Sequence, residues 1–325
     1  MIKGLAYSDL HYDRLGARCV TVEDCEDVER AIYARLIEGQ FDFCLFCGDR
    51  YLKREPEDEV KTRADRVAFE FQSMIPRIHL IGNHDWVTNS MSWHTSETLK
   101  SQSGSLVVVD QPQSIGIGDT LIHCLPAGYK FDVSKYQINP DRFNVFIFHD
   151  MVKGGFFDDE KKIQIQDGLS LADIDRPEFD LVFGGDIHVP QRLPFKNTQG
   201  GYLGSVIQRT RADANRPRGW VEFTAEKTAQ GWQVVTSLAP TKPLFARFTF
   251  EIGSDTKYTD ISLDTDQVED RSVEVKLQGL KTDVDRVAED TRWGNYTTLC
   301  GARSIEIVKD YQIQQKEAVV DMSSS

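Results

Sequence analysis

The sequence predicts an α/β protein: a large domain founded on a parallel βαβαβ unit, followed by a small α+β domain. Three observations carry that expectation. Short apolar runs alternate with amphipathic, helix-length stretches through the first 85 residues. Successive apolar runs end in Asp, His or Asn, as strands do when their carboxyl ends build a site. A second β-α-β pattern follows a break near Pro240–Pro243. The length of 325 residues exceeds what one small domain needs, and 40% hydrophobic residues supply a sizeable core.

In chain order, Ile2–Ser8 reads as a strand ending in Asp9-Leu10-His11. Val28, Ile32 and Leu36 place a helix over about 22–38, with Thr21 as its cap. Phe41–Cys47 is a buried strand ending in Gly48-Asp49, and Glu57–Met74 is a charged amphipathic helix stopped by Pro76. Ile78–Ile81 is a strand running into Gly82-Asn83-His84-Asp85. Leu106–Val109, Thr120–Leu125, Asn144–Phe148 and Leu181–Phe183 follow as short strands. Gly201–Gln208, Gly219–Thr224, Trp232–Ser237 and Phe245–Glu251 read as an antiparallel succession. Ser272–Leu277, a helix over Thr282–Asp290 capped by Thr282, and Ser304–Val308 complete the small domain. The domains are thus expected at 1–243 and 244–310, with 311–325 a disordered tail.

Composition excludes several function classes. With 51 acids against 38 bases, the net charge of −13 cannot hold nucleic acid through an overall field, so any DNA contact must be local or metal-mediated. No apolar run approaches the roughly 18 residues of a membrane span, and the N-terminus lacks a signal-peptide layout, so a cytoplasmic protein is expected. The six cysteines form no disulfide framework. Cys44 and Cys47 lie three apart on a strand and so point to opposite faces, which makes them small core residues and not a metal or redox pair.

The chemistry collects at the strand ends: Asp9 and His11, Asp49, Asn83 and His84, His149, then Asp186 and His188. Carboxylate, imidazole and amide oxygen are the donors of mixed N/O metal sites. A carboxylate such as Asp49 can bridge two cations, and two metals about 4 Å apart clamp the attacking and leaving oxygens of a phosphoryl displacement. Trp86 and Trp93 flank the third cluster and are expected to pack inside; His79, His94 and His123 are expected to be structural.

D-x-H, G-D, G-N-H-D, a lone His after a strand and G-x-x-H, in that order, resemble the signature of calcineurin-like metallophosphoesterases over roughly residues 1–225. The resemblance implies a four-layer αββα sandwich. It assigns Asp9, His11, Asp49 and His188 to one metal, and Asp49, Asn83, His149 and Asp186 to the other. His84 would stabilise the pentacoordinate phosphate and protonate the leaving oxygen, and Asp85 would orient it.

Two departures refine this. Gly48-Asp49-Arg50-Tyr51-Leu52 lacks the second acid of the protein-phosphatase pattern, which favours a nuclease branch. Gly185-Asp186-Ile187-His188 carries Asp where G-H-x-H is usual; a third anion beside Asp9 and Asp49 tilts preference to Mn²⁺, or Mg²⁺, over Zn²⁺. The order from Gly185 through Gly204-Ser205 to Arg218-Gly219-Trp220 is similar to the nuclease subunit of SbcCD-type DNA repair exonucleases, and the length resembles compact phage versions. That branch implies a small cap domain, a coiled-coil SMC-type ATPase partner and a homodimer within a heterotetramer, in a bacterial or phage-infected cytoplasm.

Arg50 and Lys53, then Arg209, Arg211, Arg216 and Arg218, are the candidate DNA phosphate contacts. No Walker-type loop is present, so ATP hydrolysis would belong to the partner, and Tyr311–Val320 lacks the apolar stripe of a docking helix. The expected function is a two-metal DNA nuclease subunit. A phosphodiesterase or phosphatase for small molecules or phosphoproteins, and a scaffold whose metal site is lost through Asp186, are the alternatives.

Overall fold

The computed structural model describes residues 1–13, 20–71, 75–100, 105–158, 163–290, 292, 293, 300 and 302–312. The chain forms two compact units, Met1–Arg209 with Pro217–Lys242, and Thr210–Arg216 with the chain from Pro243 onward.

The first unit holds two mixed six-stranded sheets. One is built from β1 (Ile2–Tyr7), β2 (Phe43–Phe46), β3 (Arg77–Leu80) and β4 (Leu106–Val109), with α1 (Val22–Glu38), α2 (Asp58–Glu70) and the short α3 (Glu97–Lys100) between them. The other takes β5 (Gln113–Ile117), β6 (Thr120–Leu125) and β7 (Phe143–His149). After the small hairpin β8 (Phe156–Asp158) and β9 (Ile163–Gln164) and the one-turn α4 (Leu171–Ile174), it adds β10 (Leu181–Gly185), β11 (Gln191–Arg192) and β12 (Gly200–Tyr202). The hairpin β13 (Gly219–Thr228) and β14 (Gly231–Pro240) returns to the first sheet. Strand orders are β14-β13-β1-β2-β3-β4 and β11-β12-β10-β7-β6-β5.

Period-two burial explains the layers. Ile2, Ala6, Phe43, Leu45, Ile78 and Leu80 face Ile122, Val145, Ile147, Leu181 and Phe183 in one buried core between the sheets. The alternate residues Tyr7 and Phe46 turn the other way, and Tyr7 meets Tyr33 of α1. Cys47 joins the inter-sheet core whereas Cys44 does not, as their spacing on the strand requires. The outer face of the second sheet is covered by a separate core of Phe146, Phe148, Ile165, Leu169, Ile174 and Phe179, supplied mainly by loops. The fourth layer among the described residues is therefore mostly irregular chain closed by aromatic packing.

Helix α1 starts where its cap predicts: the Thr21 side chain accepts from Asp24 N while Asp24 reaches back to Thr21 N. Two strand expectations differ from the structure. Gly200–Tyr202 pairs parallel with β10, and the chain leaves the sheet after Tyr202. Phe245–Ile252 does not continue the antiparallel series of β13 and β14 but pairs parallel within the second unit.

In that unit β15 (Phe245–Ile252), β16 (Ser272–Gly279) and β17 (Ser304–Tyr311) form an all-parallel sheet in that order. The short α5 (Thr265–Val268) and α6 (Lys281–Ala288) lie in the connections, and Val273, Val275, Leu277, Val284 and Val287 build its core. Helix α6 begins after Leu280 without a side-chain cap, so Thr282 is inside the first turn and does not cap it. Of the expected tail, Tyr311 closes β17 and 313–325 lie outside the described residues. No described helix is long and apolar enough to cross a membrane.

Candidate metal centre

Strands β1, β2 and β3 are parallel neighbours, as are β10 and β7, so one edge of the unit collects five carboxyl ends. There the loops after β1 and β2 are zipped together: Asp9 N donates to Gly48 O at 3.0 Å, His11 N to Asp49 O at 3.1 Å and Tyr12 N to Arg50 O at 2.8 Å. Asp9, His11, Asp49 and Asp186 all adopt left-handed backbone, at φ 54, 50, 60 and 80°. Such conformations cost energy in a non-glycine residue and persist where surrounding structure enforces them. Close approach explains two motif glycines. A Cβ on Gly82 would collide with the Asp49 carboxylate, and one on Gly185 with Cys47 O, Ser8 Oγ and the His149 ring.

The side chains converge in two groups. His11 Nε2 lies 2.9 Å from His188 Nε2, 3.7 Å from Asp9 Oδ1 and 3.6 Å from Asp49 Oδ2. His188 Nε2 is 3.8 Å from the same Asp9 oxygen. On the other side, His149 Nε2 lies 3.3 Å from Asp49 Oδ1, 2.9 Å from Asn83 Oδ1 and 4.0 Å from Asp186 Oδ1. Two donor atoms about 2.1 Å from one octahedral cation lie about 3.0 Å apart when adjacent and about 4.2 Å when opposite. The spacings match that range, and the donor types suit hard or borderline divalent cations. Asp49 offers one oxygen to each group, the disposition a bridging ligand needs. Asn83 satisfies its neighbours in one of two ways. It points its oxygen at a shared cation, or turns its nitrogen to donate to both Asp49 oxygens.

The supporting contacts orient these groups. His149 Nδ1 meets Cys47 O at 2.6 Å, so the N–H sits there and Nε2 presents its lone pair to the centre. His84 Nδ1 meets Leu52 O at 2.6 Å, and His84 N donates to Asp49 Oδ1 at 2.9 Å. The cluster shows its charge crowding in its titration. Burial pushes Asp9 up to about 7, with Asp49 and Asp186 adding to the rise. Burial acts to lower His149, yet Asp49, Asp9 and Asp186 together carry it well above its ordinary value. Burial acts to raise Asp49, but the imidazoles of His149, His11 and His84 hold it below the usual carboxylate range.

Comparison with known proteins settles the family. The sequence profile of the calcineurin-like phosphoesterases matches residues 3–190, spanning all these strand ends. The chain belongs to that family. Members of the family bind two divalent metals, which the donor set fits. Solved structures similar to this calcineurin-like phosphoesterase include a dimetal phosphatase from Danio rerio. It is 10% identical over 73% of this chain and 98% of that one, with a TM-score of 0.46. Another is Yfce, a phosphoesterase from E. coli, 13% identical over 68% and 87%, with a TM-score of 0.34. A third is GAP50, described as the anchor in the inner membrane complex of Plasmodium, 9% identical over 74% and 90%, with a TM-score of 0.40. No curated protein matches.

The phosphoesterase fold corrects several residue expectations. Asp85 does not orient His84. Its carboxylate accepts from the backbone N–H groups of Gly82 and Asp49 through Oδ2, and of Arg50 and Tyr51 through Oδ1, at 2.9–3.3 Å. It thereby clamps the turn that carries Asp49. Arg50 is 1% exposed and ion-paired to Glu29, so it cannot serve a DNA phosphate. Arg209, 8% exposed, donates to Leu10 O between Asp9 and His11, and Arg218 is buried as well. Arg211 and Arg216 belong to the second unit, where Arg211 pairs with Glu306. The four arginines are therefore not one basic loop. Lys53 is exposed but pairs with Asp13 at 3.0 Å. Trp86 is buried and donates to Ala127 O, whereas Trp93 is 55% exposed and not packed inside. His79, His94 and His123 are buried away from the ligand cluster, and burial lowers the pKa of each.

Glu29 is the important residue that sequence reading passed over. It falls on the buried stripe of α1 with Cys25, Ile32, Tyr33 and Leu36. An acid on an apolar stripe is itself a signal that a buried cation partner exists.

Proposed function

We propose that this calcineurin-like phosphoesterase is a two-metal DNA phosphodiesterase, the nuclease subunit of an assembly with a coiled-coil ATPase. The observation that carries the chemistry is Asp49, which offers one carboxylate oxygen toward His11 and the other toward His149. In this reading Asp9, His11, Asp49 and His188 hold one cation, and Asp49, Asn83, His149 and Asp186 the other. The pair would supply electrostatic stabilisation of a phosphoryl group and an activated water, with Mn²⁺ or Mg²⁺ favoured by the oxygen-rich second set. His84, fixed by Leu52 O through Nδ1, has Nε2 left to carry a proton toward the leaving oxygen. Asp85 keeps the Asp49 turn in place.

Two sequence features support DNA as substrate: the missing second acid after Asp49 and the order of residues from Gly185 to Trp220. One structural observation favours a second reading, hydrolysis of small phosphoesters or phosphoproteins. Burial of Arg50, Arg209 and Arg218 removes three of the side chains that would track a DNA backbone. With Mn²⁺, purified protein should cleave linear DNA faster than nucleotides or phosphopeptides at equal concentration. DNA left intact, with and without a coiled-coil ATPase partner, while small phosphoesters turn over would decide for the second reading. ATP stimulation should require the partner, since the sequence has no Walker loop.

A further inference from the structure

We infer that the buried Glu29–Arg50 ion pair is a positioning device for Asp49, holding the bridging carboxylate's turn against α1 and α2. The inference rests on the two-metal reading of Asp49 and adds a residue pair that the ligand motifs do not contain.

Arg50 follows Asp49 directly, and Asp49 sits at φ 60°. A turn in that conformation relaxes unless its neighbours restrain it. Arg50 restrains it from every side. Its N–H donates to Asp85 at 3.0 Å and its carbonyl accepts from Tyr12 N at 2.8 Å. Its guanidinium donates to both Glu29 oxygens, at 2.6 and 2.9 Å, and to Ala64 O of α2 at 2.6 Å. Glu29 is fully buried and also accepts from the hydroxyls of Tyr12, at 2.8 Å, and Tyr33, at 2.6 Å. The carboxylate thus receives four donors, and the fork of Arg50 fixes direction as well as distance.

Stability alone gives little reason for this arrangement, because a buried ion pair is often matched by neutral side chains of similar volume. Placement gives a better one. The pair ties the zipped loops after β1 and β2, which carry Asp9, His11 and Asp49, to two helices behind them. Leu52 O, which orients His84, lies on the same tied segment.

The test is calorimetric titration of the full chain with Mn²⁺, beside its melting temperature in chelator. In Glu29→Gln/Arg50→Met, a neutral replacement of similar bulk, melting should stay within about 4 °C of wild type while Mn²⁺ affinity falls about ten-fold. Arg50→Lys, which keeps charge without the fork, should recover only part of the affinity. Two Mn²⁺ sites of wild-type affinity in the double variant would overturn the inference. Should that variant not fold, Tyr33→Phe decides: removing one donor from Glu29 should weaken Mn²⁺ about two- to three-fold, and unchanged affinity overturns the proposal. A wild-type protein that takes up no Mn²⁺ would instead overturn the metal reading on which this one stands.

Discussion

Two parts of the candidate metal centre differ in how firmly they are held: the loops after β1 and β2, and the loop after β10. Asp9, His11 and Asp49 have side chains at most 2% exposed, on loops zipped by backbone bonds and clamped by Asp85, whereas Asn83 after β3 of the same sheet is exposed. On the second sheet His149 is equally buried, but Asp186 and His188, on the loop after β10, are 21% and 41% exposed. The residue that departs from the family pattern, Asp186, lies on the open half. A changed side chain is accommodated more readily there; a similar change at Asp49 would lose the bond its carboxylate makes to His84 N.

That contrast can be broken most forcefully at its rigid end. Asp49→Ala should remove Mn²⁺ from both sites, measured by metal analysis. Turnover of bis-p-nitrophenyl phosphate should fall beyond the roughly 10²–10³-fold that losing one electrostatic donor costs. Uptake of one full equivalent by that variant would show that Asp49 does not bridge. Next, Gly185→Ala places a methyl against Cys47 O and the His149 ring. It should cost about 1–3 kcal/mol in denaturant unfolding and weaken metal binding with it.

His84→Asn should lower turnover by about 10²–10⁴-fold while Mn²⁺ stoichiometry stays at wild type, separating proton transfer from ligation. On the open half the effect should be gentler. Asp186→His should fold normally, keep two metals and shift competition between Zn²⁺ and Mn²⁺ toward Zn²⁺, read by titrating one against the other. Aggregation or loss of both metals there would erase the contrast between the halves.

The smallest effect lies in the helices behind the first sheet. Arg63 of α2 pairs with Glu23 and Glu26 of α1, and its hydrogen bonds lower both carboxyl pKa values. An acid lowered in the folded state stabilises above its ordinary pKa, and that contribution disappears as pH falls through the lowered value. Arg63→Met should therefore cost at most about 1 kcal/mol near pH 7 and nothing at strongly acid pH, in urea melts, with metal binding unchanged.

Much of the site was legible because ligand identity is a local property. A polar residue within about three positions of a buried strand's end is carried to the strand's carboxyl end wherever the sheet lies, so Asp9, Asp49, Asn83, His149 and Asp186 could be chosen from nearby residues alone. Helix α1 was legible for the same reason, since Thr21 and Asp24 exchange their capping bonds across three residues. Strand direction at Phe245 was not: an alternating apolar run pairs either way, and the choice of Ser272–Gly279 as parallel partner is made 27 positions further along the chain.

The sequence by itself determined the donor atoms and their order, because chemistry of that kind travels with the side chain. Only the tertiary structure decided the fate of the arginines. Arg50 meets Glu29 across 21 positions, Arg209 meets the Leu10 carbonyl across 199, and Asp85 turns from His84 to the backbone of the Asp49 loop. The physical reason is that a charge's role depends on its solvation and its partner. Both are set by which distant segments close over it, and no local pattern records that closure.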